Sequence, residues 1–233
     1  GTRAFCFSRA KIDEGIAYLS ETPEVRDVIL TGGDPLLLND DRLDDILSRL
    51  YRIPHVEMIR IGSRMPVTLP DRITPQLCRI LSRFQPLYLN THFNHPRELT
   101  IESAAACGRL ADAGLVLGNQ TVLLNDVNDD LGVMIELCRG LLKMRVRPYY
   151  LHHLDQARGT AHFRVPVERG LEIIAGLRGQ VSGLGIPQYV VDPPGGEGKV
   201  PLLPENLLGM GGILRVQTAR GVVELPNSRR DVV

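Results

Sequence analysis

An α/β chain built as a partial (β/α) TIM-like barrel is the fold this sequence predicts, and three observations predict it. Short apolar or β-branched runs alternate with amphipathic helical patterns, an order that folds into a parallel sheet with right-handed crossovers. No glycine fingerprint of a dinucleotide-binding fold follows any of the runs. Polar residues gather immediately after the runs, where barrel folds place their chemistry.

The strand-like runs are Asp27–Leu30, Met58–Ile61, Leu87–Asn90, Leu115–Leu124, Arg147–Leu154 and Gln188–Val191. Between them, apolar residues recur at helical spacing. Leu43, Ile46, Leu47 and Leu50 form one stripe, and Leu77, Ile80, Leu81 and Phe84 another. Ala106, Leu110 and Ala113 form a third, Met134, Leu137, Leu141 and Leu142 a fourth, and Leu171, Ile174 and Leu177 a fifth. Asn39-Asp40-Asp41 and Thr74-Pro75 are strong helix starts, and Thr100-Ile101-Glu102 a weaker one. The chain opens on a loop-like segment followed by a helix, Ile12 to Glu21, so an initial strand is expected to be missing. Ile213–Val216 and Val222–Leu225 around Ala219-Arg220-Gly221 read as a hairpin. The expected division is a core over residues 1–200 and an extension over 201–233.

Composition points to a soluble, globular, cytoplasmic protein. Lysine plus arginine equals aspartate plus glutamate at 27 each, so no general attraction to nucleic acid or an anionic membrane is expected. No apolar stretch approaches a bilayer span. Cys6, Cys78, Cys107 and Cys138 form no Cys-x-x-Cys pair, so neither a zinc ribbon nor a disulfide scaffold is supported, and buried structural thiols are expected.

The strand ends carry the candidate chemistry. Thr31-Gly32-Gly33-Asp34-Pro35 offers backbone that a ligand can approach and a carboxylate able to accept from an ammonium; a plain turn is the alternative. Gly62-Ser63-Arg64 adds a hydroxyl and a donor fork, Asn90 to Pro96 two imidazoles, and Gly118-Asn119-Gln120 two amides. His152-His153-Leu154-Asp155 suggests a metal site, but neighbouring strand residues point to opposite faces and cannot easily ligate one ion.

Asp192-Pro193-Pro194-Gly195-Gly196-Glu197-Gly198-Lys199 places one amine on a glycine-rich turn after the apolar run Tyr189-Val190-Val191. Such a lysine can form a Schiff base, or it can be a solvated loop residue. A phosphate-binding P-loop is excluded, because Pro193 and Val200 stand where that pattern needs a glycine and a Ser or Thr.

These blocks, with Arg147-Pro148-Tyr149-Tyr150 and Gly159-x-x-His162-Phe163-Arg164, resemble the lysine 2,3-aminomutase family of radical S-adenosylmethionine (SAM), pyridoxal phosphate (PLP)-dependent isomerases. The resemblance runs from about Ile12 to about Pro204. It implies a radical SAM barrel that interconverts L-lysine and β-lysine. In that chemistry a 5′-deoxyadenosyl radical acts on substrate held as an imine to PLP, and a [4Fe–4S] cluster cleaves SAM. By position, Lys199 matches the lysine that holds the PLP aldehyde. Gly32, Gly33 and Asp34 match the motif lining the methionyl group of SAM, and His92 and Gln120 match side chains around SAM. Asp155 and Asp192 match the carboxylates that receive the substrate ε-ammonium. Two aspartates suit a cationic side chain and not an acidic one.

The family's Cys-x-x-x-Cys-x-x-Cys motif is not in this sequence, so the cluster ligands are expected upstream, with no metal ligand in this chain and Cys6 not a cluster ligand. The arginine-rich stretch that follows that motif is missing too. Asp130 stands where some members carry a zinc-binding cysteine, so a structural zinc is not expected. The resemblance implies an electron donor for the cluster and a homo-oligomeric parent; the fragment alone is expected to be inactive. Two other readings stand beside free lysine as substrate: the same chemistry on a lysyl group of a translation elongation factor, and a cluster-less, non-catalytic PLP-binding remnant.

Overall fold

The computed structural model describes residues 8–155, 157–193, 198–203, 206–210, 213–218 and 220–226. Cys6 and the glycine pair Gly195-Gly196 lie outside them. The chain divides into two compact units, one over 1–121 with 140–149 and one over 122–139 with 150–233.

The first unit is a run of parallel β/α steps. Helix α1 (Arg9–Glu21) precedes β1 (Asp27–Leu30), α2 (Asp40–Tyr51) and β2 (Met58–Gly62). The short α3 (Met65–Thr68) and α4 (Pro75–Leu81) lead to β3 (Leu87–Thr91), α5 (Ile101–Asp112) and β4 (Val116–Val122). The strands pair in chain order, β1-β2-β3-β4, with registers such as Val28↔Ile59, Leu89↔Ile61 and Leu89↔Leu117. In-register parallel pairing brings all the strand ends to one edge, which is why the polar blocks after each run collect there.

Caps explain where the helices begin. Ser8 Oγ accepts from Lys11 N, so α1 starts three residues earlier than periodicity predicts. Asn39, Thr74 and Thr100 accept from Arg42 N, Leu77 N and Ser103 N. The weaker signal at Thr100 is therefore a complete cap. Leu43, Ile46, Leu47 and Leu50 are all buried. In α4 the buried face is Leu77, Cys78 and Leu81, Ile80 is only half-buried, and Phe84 of the same stripe is buried just past the helix end.

The second unit holds the end of α6 (Leu131–Lys143) nearest its start, the end of β5 (Arg147–His152), α7 (Val167–Leu177), β6 (Gln188–Val191) and β7 (Val200–Pro201). β5 and β6 pair in parallel, and β7 returns antiparallel to β6 through Val190↔Pro201 and Val191↔Val200. Asp130 begins α6, its Oδ1 accepting from Val133 N. β4 ends before Leu124, whose N–H is taken by Asn128 Oδ1, so the predicted ten-residue strand is shorter. The expected hairpin is present as β9 (Ile213–Thr218) and β10 (Gly221–Pro226), and β8 (Leu207–Met210) adds a third strand. Gly221 sits at φ +127, the left-handed backbone the turn requires. Among the described residues no helix is long and apolar enough to cross a membrane.

Candidate cofactor and substrate site

In the first unit, the chain leaves β1 through Gly32 at φ +93 and Gly33 at φ +21. A Cβ on Gly33 would meet nothing within 4 Å, so the turn faces open space. Thr31 to Asp34 line one end of a groove of about 790 Å³, whose walls are Ile12, Ile16 and Leu19 of α1 with residues of β1.

Asp34 is occupied by the protein itself. Its Oδ1 accepts from Leu36 N at 3.0 Å and Ser63 Oγ at 2.8 Å, and its Oδ2 from Arg64 N at 2.7 Å. The carboxylate ties the loop after β1 to the loop after β2, leaving little capacity for a ligand ammonium. Arg64 in turn reaches Glu98 Oε1 at 2.8 Å, while Glu98 Oε2 accepts from Asn94 N and His95 N. One acid thus shapes the loop after β3 and holds the guanidinium.

His92, the first residue past β3, is hydrogen-bonded to Gln120 of β4. Burial, then the nearby Arg64 charge, push its pKa below the ordinary value, against the Gln120 bond and Glu98, which raise it. Asn119 serves structure: its Oδ1 accepts from Phe93 N and its Nδ2 donates to Phe93 O. The hydroxyl of Thr91, beside His92 and fully buried, has no hydrogen-bond partner among the described residues.

In the second unit, the antiparallel register that pairs Val191 with Val200 puts Asp192 opposite Lys199. Lys199 Nζ donates to Asp192 Oδ2 at 2.6 Å, each side chain about one-third exposed at 35% and 34%. The sequence places Lys199 on a turn at the mouth of β6; β7, too short to show a pattern, is what sets that amine against Asp192. His152 Nδ1 lies 3.7 Å from the same Oδ2, and the Tyr150 ring centroid 6.0 Å from Nζ. His153 turns the other way, its Nδ1 2.9 Å from the buried Tyr189 hydroxyl. The two imidazoles therefore have different partners, as strand geometry predicts. Asp155 lies exposed past β5 and its carbonyl accepts from Ala157 N. The sequence marks His152 within His152-His153-Leu154-Asp155 and Tyr150 within Arg147-Pro148-Tyr149-Tyr150, but neither motif implies a place beside Lys199; their i, i+2 spacing on β5, facing the side of Asp192, is the signal for that.

Cys78, Cys107 and Cys138 are buried, the last two with thiols pushed up to about 12 by burial alone. They do not offer thiolates to a metal. Among the described residues no three His, Cys, Asp or Glu side chains group as a metal site.

Polar strand ends on consecutive β/α steps define a class of fold before any comparison. A radical SAM methyltransferase from Sphaerobacter thermophilus superposes with a TM-score of 0.52 over 78% of this chain and 55% of its own, at 23% identity. The fold is that of the radical SAM (β/α) proteins. An L-lysine 2,3-aminomutase from Fusobacterium nucleatum is 56% identical over 198 residues, 85% of this chain and 47% of that protein. A glutamate 2,3-aminomutase from Clostridioides difficile is 52% identical over 204 residues, 88% of this chain and 48% of that protein. A family model described as lysine-2,3-aminomutase matches residues 174–217. The chain belongs to the lysine 2,3-aminomutase family. It spans about half the length of the curated relatives it matches.

Proposed function

We propose that this chain is the cofactor- and substrate-binding core of an aminomutase that interconverts L-lysine and β-lysine. The observation that carries this reading is the Lys199–Asp192 pair: a primary amine and a carboxylate adjoining at a strand mouth, at positions the family resemblance gives to the PLP lysine and a substrate-ammonium carboxylate. Similarity alone does not choose the substrate, since lysine and glutamate aminomutases are almost equally close to this chain. The acids do. Asp155 and Asp192 suit a distal ammonium and would repel a distal carboxylate.

The residues fit two of the implied groups. Lys199 presents a primary amine for the PLP aldehyde, and the open space at Gly33 leaves room for the methionyl part of SAM. When bound, PLP supplies the group on which an amine can migrate and SAM the hydrogen-abstracting group. Lys199 anchors, Asp155 and Asp192 orient the substrate ammonium, and Asp34 holds Ser63 and Arg64 in place. His92, kept neutral by burial and Arg64, passes one hydrogen bond to Gln120 and has a second ring nitrogen for a ligand. The described cysteines, all buried, do not fit a [4Fe–4S] cluster.

With this reading go a cytoplasmic location, an electron donor, a homo-oligomeric assembly, and a boundary at residue 200 between the core and its extension. The test is an assay of the natural gene product, reduced and supplied with SAM and PLP, on L-lysine, L-glutamate and a lysyl-bearing translation factor. β-Lysine from free L-lysine is expected. Turnover of glutamate or of the protein acceptor, with none of free lysine, would overturn it.

A further inference from the structure

Lys199 carries an ammonium on a four-carbon stem, and so does the proposed substrate. In this structure that ammonium is seated 2.6 Å from Asp192 Oδ2 and 6.0 Å from the Tyr150 ring centroid. One carboxylate plus one aromatic face is a recognised environment for a primary ammonium. Tyr150 itself is braced edge-on by the His152 ring at 5.5 Å, and His152 also approaches Asp192, so the three side chains form one wall.

We propose that Asp192 and Tyr150 form a single ammonium subsite that Lys199 fills itself until the distal ammonium of a substrate displaces it. Tyr150 is then a specificity-determining residue, and Asp192 couples cofactor capture to substrate binding. The proposal rests on the reading of Lys199 as the PLP-anchoring amine.

The coupling follows from the chemistry of capture. Lys199 attacks the aldehyde carbon only as a free amine: a carbon–nitrogen bond forms, the carbonyl oxygen leaves as water, and the ammonium proton passes to solvent. An ammonium bound to Asp192 has no lone pair for that attack, so pairing and capture exclude each other. Any cation that takes Asp192 releases Lys199, and capture of Lys199 empties the subsite for a cation. Linkage makes the two effects equal in size. Because both side chains are about one-third exposed, the factor is modest, about two- to fivefold, the range an exposed ion pair supports.

The experiment is borohydride trapping of PLP on the full chain at a sub-saturating concentration, with peptide mapping of the label. The cation probe is trimethylammonium chloride, which cannot form an imine, compared with equal sodium chloride. The expected result is about two- to fivefold more label on Lys199 with the probe. Asp192→Asn should give a similar rise without the probe and no further response to it, and Tyr150→Leu should need severalfold more probe. The titration of the unsubstituted chain does not depend on how any variant folds. Label on Lys199 that neither the probe nor Asp192→Asn changes would overturn the shared subsite. Absence of label on Lys199 at saturating PLP would overturn the anchoring role itself, and the subsite with it.

Discussion

Asn90 and Gly118 face each other across the β3–β4 ladder, and a Cβ on residue 118 would stand 2.6 Å from Asn90 Oδ1. Glycine is there to admit the amide of a strand-end asparagine that is 8% exposed. Gly118→Ala should therefore cost about 1–3 kcal/mol of stability, the usual range for overpacking. Denaturant unfolding checks it. Combined with Asn90→Ala the losses should be less than additive, because the shorter side chain removes the obstacle.

Gly170 sets two effects against each other. Alanine is the better helix former by about 1 kcal/mol, and α7 would gain that. Its methyl, however, would lie 2.2 Å from the buried Tyr189 ring. That ring is held at its far end by the His153 bond and cannot swing aside. Gly170→Ala is expected to destabilise by about 2 kcal/mol net, overpacking outweighing propensity. A variant as stable as the parent would show that Tyr189 is freer than its burial implies.

Asp34 accepts three hydrogen bonds from its own protein. Asp34→Ala should lower thermal stability before any ligand is added, by about 1–3 kcal/mol for buried donors left unpaired. Asp34→Asn keeps an oxygen for Leu36 N and Ser63 but turns an N–H toward Arg64 N, so an intermediate loss is expected. If both variants melt like the parent and differ only with SAM present, the carboxylate acts on the ligand and not on the loops.

His92 makes stability depend on pH. Its pKa in the folded chain is below the ordinary 6.5, first through burial and then through Arg64. Unfolding thus takes up a proton in the window below 6.5 and above the folded value. Stability from this group is complete above 6.5 and declines as pH falls through that window. His92→Gln should flatten that part of the stability–pH curve, measured by thermal unfolding from pH 7.5 to 5, a window chosen around the ordinary value.

Asp155→Ala and Asp192→Ala should each remove most lysine turnover. Because Asp192 is about one-third exposed and Asp155 more so, an ammonium left with one carboxylate loses about 1 kcal/mol in the transition state, about fivefold in kcat/KM. Steady-state kinetics of the two variants in the natural gene product check it, and near-normal values in either would remove that residue from the substrate site.

Much of this was readable along the chain. The α2 stripe of Leu43, Ile46, Leu47 and Leu50 is buried as its spacing predicts, and all six strand runs coincide with strands to within two residues. Local signals suffice there because a helix face or strand run must be apolar to be buried at all. The splitting of His152 from His153 was likewise implied by the two-residue period of a strand.

The sequence by itself determined where the strands and helices fall and which strand end each polar block follows, because backbone periodicity and caps act over a few residues. Only the tertiary structure decided how those residues are spent. Asp34 reads as a ligand acceptor until Ser63 and Arg64, on the next strand's loop, are seen to occupy it. Lys199 reads as a turn lysine until β7, two residues long, pairs with β6 and sets it against Asp192. Tyr150 and His152 stand in motifs the sequence marks, but their place beside Lys199 follows only from what β6 and β7 set next to β5. Hydrogen bonds and ion pairs between segments depend on register and packing over the whole fold, and no local pattern encodes them.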